Sequence, residues 1–382
     1  MKGTAWRLYL GIGALATGVY HLLPDGARAV LNVVVGASAV AAIAAGTRWH
    51  RPGRRLAWWL IAAAQGLFVV GDALFSVNEL VLGIEPFPSL ADALYLPGYP
   101  VLAAGLALLA LSRSTVRDWA GLTDAAIIAI GFGLLSWVLV MVPYFNDPSL
   151  GLVELLVSLA YPVGDVLLLA LAARLATTPG RRTAASRLLI TSLAVTMAAD
   201  TLFSVLALSG ASVAVTDGMY LVAYLLLGAA GLHPSMAGLS EPAQRRQARL
   251  GRGRLLAMGA AALVAPALLV VERLRGNDLQ VAVIAGAWAV LFVLVMVRMA
   301  GLVRGVERAE AERRRLLDRT VQAGEQERIH IAAQLHDGPI QRLSVLSYDL
   351  ERARQRVLAN PAAVARLDHA QAALASEVQT LR

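Results

Sequence analysis

The chain has 382 residues, of which 58% are hydrophobic and only 16% charged, with a mean hydropathy of +0.63. A soluble domain averages about 45–50% apolar and about 25% charged residues, so this composition points to a membrane protein. The absence of cysteine excludes disulfides, thiol catalysis and zinc–thiolate sites, and the net charge of +8 sits mostly on arginines in short loops between apolar runs, which argues for membrane topology against nucleic-acid binding.

A membrane-spanning helix needs about 20 apolar residues. Ten stretches meet that demand, at about 5–23, 28–46, 56–78, 93–112, 120–142, 152–173, 188–208, 213–233, 255–271 and 279–299. Loop charge orients them. Arginines crowd four alternate loops: Arg48, Arg51, Arg54 and Arg55; Arg113 and Arg117; Arg174, Arg181, Arg182 and Arg187; and Arg245, Arg246, Arg249, Arg252 and Arg254. The intervening segments 79–92 and 143–151 carry Glu79, Glu85, Asp92 and Asp147 and no basic residue. Ten spans in this pattern place both termini in the cytoplasm. The expected location is a bacterial cell membrane, crossed many times, with lipid as a surrounding partner.

A short repeat lies within the apolar region. Gly71-Asp72-Ala73-Leu74-Phe75-Ser76 returns as Ala199-Asp200-Thr201-Leu202-Phe203-Ser204. Each copy precedes an Asp, Tyr and Tyr at i, i+3 and i+7: Asp92, Tyr95 and Tyr99, then Asp217, Tyr220 and Tyr224. That spacing puts all three on one helix face. A Tyr-Pro pair also occurs twice, at Tyr99-Pro100 and Tyr161-Pro162, with Asp165 after the second. An even number of spans separates the copies, which favours parallel duplication over the inverted repeats of many transporters. Ionisable residues in a bilayer are costly and turn inward. Asp72, Asp92, Tyr95, Tyr99, Asp165, Asp200, Asp217, Tyr220 and Tyr224 are therefore candidates for a ligand or stimulus site. The competing reading makes them helix caps and interhelical hydrogen bonds, with Asp92 and Asp217 standing at helix starts. His21 and His233 lie at span ends and read as interfacial. No metal set and no cofactor-binding loop is visible in the sequence.

From Val297 the composition turns to Arg, Glu, Ala and Leu, and no proline intervenes before Pro339. The last span is expected to continue as one long cytoplasmic helix, with a weak register near Gly324. Leu343, Leu346, Leu350, Ala353 and Val357 follow with 3-4 spacing. Asn360 and Pro361 then form an N-cap and first helical position. A second helix carries Val364, Leu367, Leu374, Val378 and Leu381 on one stripe. Two such helices cannot bury both stripes alone, so a homodimer closing them into a four-helix bundle is expected. The fold class is thus all-α: a polytopic bundle over 1–300, a signalling helix over 301–328 and a dimerisation segment over 329–382.

Between these helices lies Gln326 to Leu343, QERIHIAAQLHDGPIQRL. Glu327, Arg328, Ile331 (or Ile329), Ala332, Leu335, His336, Asp337, Gln341 and Leu343 fit E-R-x-R-I-A-x-E-L-H-D-x-x-x-Q-x-L. This resembles the phosphoacceptor segment of sensor histidine kinases of the nitrate/nitrite-sensor and desaturase-sensor type. His330 and Gln334 depart from that pattern, where Arg and Glu are usual. The resemblance implies that His336 accepts a phosphoryl group, Asp337 orients its ring, and Gln341 positions a water for dephosphorylation of the partner. It also implies a response-regulator partner, usually with a helix-turn-helix output, and no direct contact of this chain with nucleic acid. ATP with magnesium would be the substrate of the full-length kinase. No glycine follows Gly338 and no Walker-type loop is present. The chain is accordingly expected to stop before the ATP-binding domain and to be inactive alone. Two other readings remain. His336 falls in heptad phase with Ile329 and Leu343, where it would be a register residue of a coiled coil. The chain would then be a membrane transporter or receptor with a dimerisation tail and no phosphoryl chemistry.

Overall fold

The structure, a computed structural model, describes residues 4–84, 86–113, 119–177, 183–240, 252–276, 278–335, 338 and 341–380. It divides into two compact units, Met1–Gly301 and Leu302–Arg382. Among the described residues both are helical and contain no strand.

The first unit holds α1 (Ala5–Tyr20), α2 (Asp25–His50), α3 (Arg55–Val77), α4 (Asp92–Arg113), α5 (Trp119–Ser136), a short α6 (Val142–Phe145), α7 (Leu152–Thr177), α8 (Ala184–Leu208), α9 (Ala214–Leu232), α10 (Arg252–Arg275) and the start of α11 (Asp278–Leu335). Local chemistry sets several of the ends. Pro24 precedes α2, and Asp25 in its first turn pairs with Arg28 at 3.2 Å. α2 stops where Arg51 adopts the left-handed conformation (φ 45°) and Pro52 removes the next donor. Thr183 caps α8 by accepting from the Ser186 amide at 3.1 Å. Asp147 tightens the α6–α7 turn by accepting from the Ser149 hydroxyl and amide, and these bonds hold its carboxyl below the usual range.

Eight helical stretches among the described residues are long and apolar enough to cross a membrane. They match eight of the ten stretches read from the sequence; α1 and α10 fall outside that set. α1, at 16 residues, spans about 24 Å against a hydrocarbon core of about 30 Å. α10 keeps an uncharged, mostly apolar run from Leu255 to Val271, with its charges Glu272, Arg273 and Arg275 gathered at its end. Many large apolar side chains on the first unit point outward, Leu15, Val81, Leu111, Leu152 and Leu263 among them. That outward face suits lipid, where it costs nothing.

The inner packing has two parts. α2, α3 and α4 pack in succession, as do α7, α8 and α9. The two triplets meet crosswise, with α2 on α9 and α4 on α7. The repeated motif therefore belongs to a three-helix unit, wider than the span pairs the sequence indicated. One half of the bundle is apolar: Ile43, Trp58, Ile61, Leu106, Leu109, Leu175 and Leu189 are fully enclosed there. The other half gathers the polar side chains described below.

Small residues permit the crosswise contacts. A Cβ on Gly46 of α2 would strike the backbone of Gly231 on α9. Nothing there can rotate aside, so Gly46→Ala is expected to lower stability by about 1–3 kcal/mol. Gly66 is the control: a methyl group added to it would meet nothing within 4 Å, and Gly66→Ala is expected to be neutral or mildly stabilising. Thermal unfolding of the two purified variants in detergent separates these outcomes.

The second unit contains the remainder of α11, then α12 (Gln341–Arg356) and α13 (Pro361–Thr380). Asn360 caps α13, accepting from the Ala363 amide at 3.3 Å. α12 and α13 run antiparallel: Gln371 donates to Glu351 at 2.9 Å, and one turn on Arg354 donates to Asp368 at 2.6 Å. Leu343, Leu350 and Val357 turn toward α13, as do Val364, Leu367, Leu374 and Val378 toward α12. Leu346 and Ala353 of the expected stripe remain exposed.

Candidate functional site

The structure brings together all nine membrane residues singled out in the sequence. Asp72 on α3 is the first centre. Its Oδ1 accepts from the Tyr95 hydroxyl of α4 at 2.8 Å. Its Oδ2 accepts from the Tyr224 hydroxyl of α9 at 2.8 Å and from the Asn32 amide of α2 at 3.3 Å. Helices from both triplets thus converge on one carboxyl group.

Asp200 on α8 is the second centre and repeats part of this pattern. Its Oδ1 accepts from the Tyr220 hydroxyl of α9 at 2.7 Å. Asp165 on α7 faces Asp200, with the Tyr99 hydroxyl beside it. In both motif copies the serine four residues on donates back to the aspartate carbonyl, Ser76 to Asp72 at 2.8 Å and Ser204 to Asp200 at 2.9 Å. The tyrosines exchange between halves. The first tyrosine of each helix serves the aspartate of its own triplet. The second crosses over, Tyr224 to Asp72 and Tyr99 toward Asp165. Glycines make room for this exchange, Gly36 against Tyr224 and Gly164 against Tyr99.

Two further aspartates complete the set. Asp92 accepts from the Tyr161 hydroxyl and from the Ser89 amide, so it closes the start of α4 while joining α7 to it. Asp217 accepts from the Tyr20 hydroxyl of α1 at 3.2 Å. The rings of Phe68, Tyr99 and Tyr161 stack edge to face between these groups, at 5.7 and 6.1 Å. The capping reading and the inward-facing reading therefore both describe Asp92.

Sequence reasoning missed Asn32 and Tyr20, each a lone polar or aromatic residue outside the repeat. It also missed a buried ion pair. Arg298 of α11 donates from Nε to Asp124 Oδ1 of α5 at 2.6 Å, with both side chains less than a tenth exposed. Far from this pair, Trp137 in the π-helical turn after α5 donates to Gln280 near the start of α11 at 2.8 Å. Arg113, counted among loop charges, is instead the last residue of α4; it is buried and reaches the Leu175 carbonyl at 3.5 Å.

The phosphoacceptor candidates His336 and Asp337 lie outside the described residues, as do Pro339 and the loop residues Arg117, Arg181, Arg182, Arg245, Arg246, Arg249 and Glu85. Gln341 is the first residue of α12 and is exposed. His330 and His369 are exposed on α11 and α13. Among the described residues, no group of three His, Cys, Asp or Glu side chains is placed to hold a metal ion.

No family model matches this chain, and no curated protein or solved structure matches it either.

Proposed function

We propose that this chain is the sensor and phosphoacceptor part of a membrane histidine kinase. The observation that carries this reading is the segment 326–343, with a carboxylate next to His336 and Gln341 four residues beyond it. The flanking helices support it. α11 runs unbroken from an apolar stretch into this segment, and α12 and α13 form an antiparallel hairpin after it. That hairpin keeps an apolar groove lined by Leu346, Leu350, Ala370, Ala373 and Leu374, suited to a second copy of itself.

The chemistry is phosphoryl transfer to nitrogen. A neutral imidazole nitrogen of His336 attacks the γ-phosphorus in line while its other nitrogen keeps a proton. The Asp337 carboxylate accepts that N–H, orients the ring and stabilises the positive charge that forms. The phosphoryl group then passes to an aspartate of a response regulator, and Gln341 positions the water that later removes it. ATP and magnesium are supplied by an ATP-binding domain of the kind the resembled family carries. In this reading the Asp–Tyr cluster is the stimulus site, in the half of the bundle away from the arginine-rich loops, and both termini face the cytoplasm of a bacterium.

The test mixes the full chain in lipid vesicles with a separately expressed ATP-binding domain of the resembled kinase family and γ-labelled ATP. Acid-labile, base-stable label is expected in the wild type and absent in His336→Gln. Equal label in both, or none with an active ATP-binding domain and a folded chain, overturns the proposal. Ligand-driven flux across the same vesicles without label identifies a transporter instead.

A further inference from the structure

The two triplets are built alike but differ at one place. In the first, α2 presents an amide to the central aspartate: Asn32 donates Nδ2–H to Asp72. In the second, α7 presents a carboxyl to the central aspartate, because Asp165 faces Asp200. A carboxylate has no hydrogen to donate. Asp165 is 4% exposed, and its Oδ1, like Oδ2 of Asp200, is buried without a hydrogen-bond donor among the described residues.

The groups facing the pair supply no positive charge. They are Tyr99 of α4, Tyr161 of α7 itself, and Tyr220 and Tyr224 of α9. Two other carboxyls of the cluster are already held, Asp72 by three donors and Asp92 by Tyr161 and the Ser89 amide. The acidic residue on neighbouring α5 is Asp124, already engaged with Arg298. No Lys, Arg or His among the described residues acts on Asp165 or Asp200. Two carboxylates side by side cannot both stay ionised in such surroundings. A hydrogen bond between them needs one proton, and that single hydrogen would satisfy the two orphaned oxygens together.

We infer that Asp165 and Asp200 form a proton-binding site, one exchangeable proton held between the two carboxyl groups. The site replaces the permanent N–H of Asn32 with a hydrogen that can leave. Loss of the proton sets two anions face to face and drives α7 from α8, while Asp72 and Asn32 stay joined. The membrane unit thereby gains a hydrogen bond that one half can lose and the other cannot. This names the ligand of the sensor reading, but it rests on the membrane unit alone, and its test reads the carboxyl groups and not the phosphoryl chemistry.

The test is infrared difference spectroscopy of the full chain in lipid, with aspartate carbon-13 labelling to separate side-chain bands from lipid esters. At neutral pH the wild type is expected to show the carbonyl band of a protonated aspartate. Asp165→Asn and Asp200→Asn are each expected to abolish it, since each leaves one carboxylate accepting from an amide, as Asp72 does from Asn32. Thermal unfolding supplies the second reading: alkaline pH lowers the stability of the wild type and leaves Asp165→Asn unchanged. No aspartate band in the wild type, or a band that survives in both folded variants, overturns the site. A wild-type band that disappears when sodium replaces an organic cation at fixed pH also overturns it, by assigning the carboxyls to a metal cation. If one variant fails to fold, the other and the pH dependence of wild-type stability still decide.

Discussion

Asp124→Asn destabilises the membrane unit by about 3–5 kcal/mol, the magnitude typical of breaking a buried ion pair by removal of one partner. The pair is short and enclosed: Arg298 Nε reaches Asp124 Oδ1 at 2.6 Å, and the two side chains are 9% and 0% exposed. The two halves of the pair are not equivalent. An arginine cannot discharge itself, whereas a buried carboxylate can take up a proton. Arg298→Gln is therefore expected to cost less than Asp124→Asn. The double variant is expected to recover much of the loss, because it removes both charges of the pair together. Thermal unfolding in detergent of the three variants checks all of this, and a double variant no better than Asp124→Asn contradicts it. The position of Arg298 adds interest. It lies on α11, the helix that continues toward the segment containing His336, so the pair ties that helix to α5 at one point. Ionisable residues inside an apolar bundle are by default candidates for a functional role.

Asp72→Ala is the second large effect. The change leaves the Tyr95 hydroxyl, the Tyr224 hydroxyl and the Asn32 amide without their shared acceptor. Each stranded donor costs about 1–3 kcal/mol, so the loss reaches about 3 kcal/mol or more. It also cuts the link of α2 and α4 to α9, which belongs to the other triplet. Asp72→Asn is the gentler companion. It keeps an acceptor oxygen for one tyrosine and brings a new N–H against the other donors. A stability intermediate between wild type and Asp72→Ala is expected. Equal stability of Asp72→Ala and wild type would mean that the three donors find water or one another instead.

The polar cluster was legible because its residues violate the composition around them. Aspartates in apolar helices have few places to go, and the recurrence of Asp-x-Leu-Phe-Ser with a following Asp-x-x-Tyr-x-x-x-Tyr fixed which helices correspond. The exchange of tyrosines between triplets was not legible. Spacing puts Tyr220 and Tyr224 on one face, but only the fold sends the first to Asp200 and the second to Asp72. Asn32 carried a usable signal, a lone amide in the middle of the run Val30 to Val35, and it gained meaning only once Asp72 stood beside it. Asp124 and Arg298 sit at opposite ends of their apolar runs, 174 residues apart. Charge at a span end reads as topology, and nothing local distinguishes a solvated arginine from a paired one. Arg113 shows the same ambiguity from the other side, a supposed loop charge that is buried at the end of α4. In the hairpin, heptad spacing located Leu343, Leu350 and Val357, whereas Leu346 faces outward; a stripe two helices wide has two sides, and α13 covers only one.

The most direct test of the proposed control of His336 by the membrane cluster is the rate at which the full chain takes up label. Wild type and Asp72→Asn, both folded and held in the same vesicles, would be given an ATP-binding domain of the resembled kinase family and γ-labelled ATP. Label is expected on His336 in both, with initial rates that differ several-fold. Identical rates, or label on the chain that persists in His336→Gln, would contradict it.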